Sequence, residues 1–126
     1  MSHYADLPEL ADLYLEDSYV LGITEHVGRM VFTLTAVLTP AHPAYHNPLP
    51  GEQYCYAHGA LEFTDVTGVD WLERSTQRYV DATGETDLGN IDSLTSADGT
   101  YEVAGDWGRV RVRCAGPPRF TLRDAL

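Results

Sequence analysis

Hydrophobic and polar positions alternate through much of this chain, and a period of two belongs to strands rather than helices. The clearest run is 30–38, MVFTLTAVL. There Met30, Phe32, Leu34, Ala36 and Leu38 face one way, and Val31, Thr33, Thr35 and Val37 the other. Both faces are apolar or β-branched, so the pattern predicts a central strand. In 109–115, Val110, Val112 and Cys114 alternate with Arg109, Arg111 and Arg113. Further strands are predicted at 19–24, 69–77, 90–95, 100–104 and 120–122. Residues 53–57 and 60–65 read as one strand broken by a bulge at His58-Gly59. The predicted core contains Phe32, Leu34, Leu61, Phe63, Val69, Trp71, Val110 and Val112.

Turn signals separate these runs. Asp98-Gly99, with apolar residues on either side, is the strongest hairpin signal. His26-Val27-Gly28-Arg29 and Gly105-Asp106-Trp107-Gly108 read as turns, and Gly68 as a turn or bulge. Residues 81–89 form a polar loop, and Pro117-Pro118 ends the strand before it. Only 6–14 reads as helix. Asp6 is placed to cap it, Pro8 sits in the first turn, and Leu7, Leu10 and Leu13 make an apolar stripe. The expectation is an all-β, mostly antiparallel sandwich or small barrel of seven or eight strands, with a short N-terminal helix. Residues 1–126 read as a single domain.

One stretch breaks the alternation. Residues 39–59, TPAHPAYHNPLPGEQYCYAHG, hold four of the seven prolines, three of the five histidines and three of the eight tyrosines. Proline fixes φ and lacks an N–H, so this is neither helix nor central strand. Its aromatic and imidazole content argues for a loop folded against the sheet, walling a concave site or interface.

Charge narrows the partners. Acids outnumber bases 19 to 8, and the formal net charge is -11. That balance disfavours nucleic acid and anionic membrane and favours cationic partners. No window has the roughly 18 apolar residues of a membrane span. The acidic N-terminus lacks the basic and apolar regions of a signal peptide, so the expected location is cytoplasmic, with Cys55 and Cys114 reduced.

Four groups could carry chemistry. His42, His46, Cys55 and His58 have ligand types and close pairs that suit zinc. As a strand, however, Cys55 and His58 lie on opposite faces unless a bulge re-aims one. The alternative is that these are loop histidines capping turns or stacking on Tyr45, Tyr54 and Tyr56. Asp81, Glu85, Asp87 and Asp92, with Asp98 and Asp106 farther on, read as acid–base or cation-binding carboxylates, or as a solvated loop with turn aspartates. Arg109, Arg111 and Arg113 share a sheet face that could grip a carboxylate or phosphate, or pair with Glu102 or Asp92 on neighbouring strands. Trp107 reads either as an exposed interface anchor or as a ring folded back over the sheet end. No nucleophile elbow, phosphate loop or dinucleotide fingerprint is present, which favours a non-enzymatic role.

The order DSYVLGI, GRMVFTLTAVL, GALEFTDVTGV, NIDSL and GTYEV-x4-GRVRVRC resembles small all-β bacterial proteins, some of them immunity proteins of polymorphic toxin systems. The 39–59 insertion departs from that plain layout. The reading that follows is a non-enzymatic, cytoplasmic interaction module, an immunity-type inhibitor of a basic protein partner. It binds through Tyr45, Tyr54, Tyr56, Trp107, Arg109, Arg111 and Arg113, needs no cofactor and is compatible with a homodimer. The alternative is a metal-dependent or small-molecule-binding β-barrel that uses loop 39–59 and holds zinc or iron.

Overall fold

The computed structural model describes residues 2–75, 79–80 and 86–123. The strands are β1 (Ser2–His3), β2 (Tyr19–His26), β3 (Arg29–Leu38), β4 (Cys55–Thr64), β5 (Val66–Arg74), β6 (Tyr79–Val80), β7 (Thr86–Asp87), β8 (Ile91–Ala97), β9 (Thr100–Gly105), β10 (Gly108–Cys114) and β11 (Arg119–Leu122). They form a five-stranded sheet, β1-β8-β9-β10-β5, a four-stranded sheet, β11-β4-β3-β2, and a small β6–β7 pair. Every pairing is antiparallel. This is the sandwich of the expected pair, not the barrel: both large sheets stay open at their edges. No helix among the described residues is long and apolar enough to cross a membrane.

Strand β3 is central, as its two-sided pattern predicts, with β2 on one side and β4 on the other. Met30, Phe32, Leu34, Ala36 and Leu38 are all buried. They meet the five-stranded sheet through rings: Phe63 lies 5.7 Å from Tyr101, and Phe32 lies 5.3 Å from Trp107. Leu61, Val110 and Val112 are buried in the same cluster. Val69 and Trp71 are only partly covered, because β5 is the edge of its sheet. The Asp98-Gly99 hairpin has φ of +50° and +77°, the two positive values a type I′ turn needs.

Two expectations change. The His58-Gly59 bulge is absent: β3 and β4 keep one register from Arg29↔Thr64 to Leu38↔Cys55. Gly59 serves close approach instead, since a Cβ there would overlap the Phe120 ring brought in by β11. Bulges occur in β2 between Val20 and Gly22, in β8 between Ile91 and Ser93, and in β5, where Leu72 and Thr67 are passed over in the register with β10. The 6–14 segment is not an α-helix either. Leu7 N–H donates to the Tyr4 carbonyl, Leu10 to Leu7 and Leu13 to Leu10. Those i→i+3 links match the three-residue leucine spacing, which fits a 3₁₀ period rather than 3.6. Leu10 and Leu13 are buried as the stripe requires, and one-turn 3₁₀ helices stand at Tyr4–Asp6 and Leu15–Asp17.

Candidate functional site

Register places the first components of the site. Tyr19 opposes Thr35, and Val37 opposes Tyr56. Because Leu34, Ala36 and Leu38 point inward, alternation turns Tyr19 and Tyr56 to the outer face of the four-stranded sheet. Tyr14 and Tyr54 extend this pair into a ridge. Ring centroids are 6.3 Å apart for Tyr14–Tyr54, 6.1 Å for Tyr54–Tyr56 and 6.3 Å for Tyr56–Tyr19. Tyr14 and Tyr19 remain 40% and 42% exposed. Aromatic rings with hydroxyl tips are the side chains most often found at recognition surfaces.

The ridge is fastened from beneath. Where β2 ends its pairing, the N-terminal segment continues beside β3: Leu13 bridges Leu38, and Tyr14 N–H donates to the Val37 carbonyl at 2.9 Å. Fully buried Ser18 completes the seam. Its hydroxyl donates to the Tyr14 carbonyl at 2.7 Å and accepts from Val37 N–H at 2.9 Å. The Asp17 carboxylate acting on the Tyr54 hydroxyl first, and desolvation second, push the Tyr54 pKa up to about 12. Burial, with Tyr19 next to it, also raises the Tyr56 pKa.

Two clefts flank the ridge. On one side is an apolar slot of about 200 Å³, walled by Tyr14, Tyr54, Tyr45, Pro40 and Pro48 over Val37 and Leu38. The long loop builds its outer wall through consecutive turns: His42 N–H donates to the Thr39 carbonyl and Tyr45 N–H to the His42 carbonyl. Tyr45 packs against the core. On the other side is an acidic cleft of about 380 Å³, lined by Glu16, Asp17, Asp87 and Asp106 with Tyr19 and Asn90. Its carboxylates are held mainly by neutral donors. Tyr4 donates to Glu16, Gly89 N–H to Asp87 at 2.8 Å, and Asn90 N–H to Asp106 at 3.4 Å. His3, 3.9 Å from Glu16, is the nearest group able to carry positive charge among the described residues. Asp87 is 8% exposed; the other carboxylates of the cleft, Glu16, Asp17 and Asp106, are more open.

The other sequence-nominated residues separate. Cys55 points into the core, while His58 lies exposed on the opposite face and contacts Thr35 Oγ1 at 3.2 Å. The unbulged register causes that split. His42 Nδ1 accepts from Ala44 N–H, His46 Nδ1 contacts the Asn47 carbonyl, and only the His46 backbone N–H reaches Cys55 Sγ, at 3.5 Å. The four are not gathered as ligands, and no group of three or more His, Cys, Asp or Glu is placed to hold a metal among the described residues. Asp81 and Glu85 of the acid cluster lie outside the described residues.

Trp107 is not an exposed anchor. It is 1% exposed, and its indole N–H donates to the Asn90 carbonyl at 3.0 Å. Gly105 makes room, since a Cβ there would collide with that carbonyl and the indole. The arginines do share the outer face of the five-stranded sheet, opposite buried Val110, Val112 and Cys114. Arg109 and Arg111 grip Glu102 at 2.8 Å and 3.0 Å, and the two guanidiniums hold its carboxyl below the usual range. Arg113 lies over Gly68.

Sequence reading found Tyr45, Tyr54 and Tyr56 but missed Tyr14, Tyr19, Glu16 and Asp17. Their available signal was an acidic, tyrosine-bearing segment, YLEDSY, directly before a strand. Set against protein-family models, curated proteins and solved structures, the chain matches none of them, so a functional reading rests on these residues and their geometry.

Proposed function

We propose that this chain is a non-enzymatic, cytoplasmic interaction protein that binds a basic protein partner, in the manner of an immunity-type inhibitor, through the tyrosine ridge and the acidic cleft beside it. The observation that carries the reading is the junction itself: Tyr19 stacks on Tyr56 in the ridge and also lines the acidic cleft, beside Asp17. Rings supply desolvating area and faces for cations; the carboxylates supply attraction and orientation. Among the described residues no arginine lines either cleft, and the acids there are held by neutral donors. The two free cysteines suit a reducing compartment. The open sheets speak against a small-molecule site enclosed in a barrel.

A labelled oligoarginine peptide tests the reading. Binding is expected at low salt and should weaken steeply as salt rises. The pair Glu16→Gln with Asp106→Asn should weaken it strongly. The pair Asp92→Asn with Asp98→Asn removes the same charge elsewhere and should leave it unchanged. Equal losses from both pairs would reduce the effect to net charge and sink the proposal.

A further inference from the structure

The acidic cleft accounts for attraction but not for selection among basic partners, and the apolar slot on the far side of the ridge has no role in that reading. We infer that this slot is a socket for one aromatic side chain of the partner, presented next to an arginine or lysine. The inference rests on the proposed function and names what the partner must display.

Three observations carry it. The first is size. The slot encloses about 200 Å³. That is below the roughly 300 Å³ where small-molecule sites begin, yet above the roughly 150 Å³ cavity known to admit benzene. It therefore fits one ring. The second is lining. Tyr14, Tyr45 and Tyr54 with Pro40 and Pro48 present ring and aliphatic surfaces over Val37 and Leu38. Such walls suit edge and face contacts with another ring. The third is charge complementarity at the mouth. Tyr54 is a wall of the slot, and the Asp17 carboxylate acts on it electrostatically. Glu52 acts electrostatically on the adjoining Tyr56. A cation beside the inserted ring would meet the field of Asp17 and Glu52, both of which act on the adjoining Tyr56.

A second copy of this chain is the other natural occupant, and charge opposes it. Two copies meeting by this face would bring Asp17 and Glu16 against their own kind, on molecules of formal charge -11.

The test compares two labelled peptides on the full chain: oligoarginine, and the same peptide with one arginine replaced by tryptophan. The tryptophan peptide should bind about tenfold tighter despite its lost charge, as a buried aromatic anchor does. Gln53 lies exposed on the rim. Gln53→Trp should fill the slot and erase that gain, while oligoarginine binding stays as it was. Free N-acetyltryptophanamide, added to the unaltered protein, should compete away the same gain without any substitution. Equal affinity for the two peptides, or a gain untouched by both treatments, overturns the socket and leaves the basic-partner reading standing. Failure of both peptides to bind overturns both. A monomer–dimer equilibrium abolished by Gln53→Trp would assign the slot to a second copy and overturn the proposal.

Discussion

The two outer faces of this sandwich treat charge in opposite ways. On the five-stranded sheet, Arg109 and Arg111 close on a single carboxylate, Glu102, across neighbouring strands. Glu102 sits opposite Arg111 in the ladder and diagonal to Arg109, so the pairing is internal to the sheet. Beside the four-stranded sheet, the carboxylates of the cleft next to the tyrosine ridge are held by the Tyr4 hydroxyl and by backbone N–H groups. Neutral donors orient an anion without cancelling it. A row of charges is thus a poor guide to a binding surface; what matters is whether the fold already supplies the counterion.

The largest expected effect tests the support both faces share. Phe32→Ala empties a fully buried position between the sheets and should cost about 3–5 kcal/mol in chemical denaturation. A cost below about 1 kcal/mol would mean the sheets do not meet there. The next effect should separate the faces. Tyr56→Ala at mid-ridge should weaken oligoarginine binding at least about fivefold with little change in denaturation midpoint. Arg111→Ala should leave that binding unchanged. The reverse result would move the interface to the arginine face.

Smaller effects sharpen the contrast. Glu102→Gln should lower stability at neutral pH by only about 0.5–1 kcal/mol, since the pair is exposed to solvent. The Glu102 pKa is lowered in the fold. Its stabilisation is therefore present above the ordinary glutamate value of about 4.3 and disappears as pH falls through the lowered one. Stability curves of the variant and the parent should converge in acid. The smallest effect belongs to Tyr54. A raised pKa favours the protonated phenol, so its contribution is complete below about pH 10 and is lost as pH rises through about 12. Asp17→Asn should bring the Tyr54 ionisation back toward the ordinary tyrosine value in an ultraviolet titration, whereas Glu102→Gln should not move it.

Local pattern made the sheets legible and left the site hidden. Alternation in 30–38 and 109–115, and the Asp98-Gly99 turn, depend on neighbours along the chain, and each reads out as predicted. Gly59 looks like a bulge in sequence because nothing nearby says that Phe120 will lie over it. Trp107 stays open in sequence between a surface anchor and a ring folded over the sheet end, because its acceptor, the Asn90 carbonyl, comes from another strand's entry. The ridge draws Tyr14, Tyr19, Tyr54 and Tyr56 together only after β2, β3 and β4 take their register. The 6–14 helix fails for a narrower reason: spacings of three fit both helix types, and the apolar stripe alone does not distinguish them.

Ser18 gives the ridge an inheritance from the interior. One hydroxyl, sealed from water, links the backbone that carries Tyr14 to the backbone of β3. Recognition at this end of the molecule is therefore tuned on two separate dials. The tyrosine rings stand in solvent and can be exchanged to change the partner without disturbing the sheet. Their backing cannot drift in the same way, because replacing Ser18 would strip a strand N–H of its acceptor in a dry place. A lineage diversifying its partners would be expected to vary ring and acid positions freely while holding that buried hydroxyl constant.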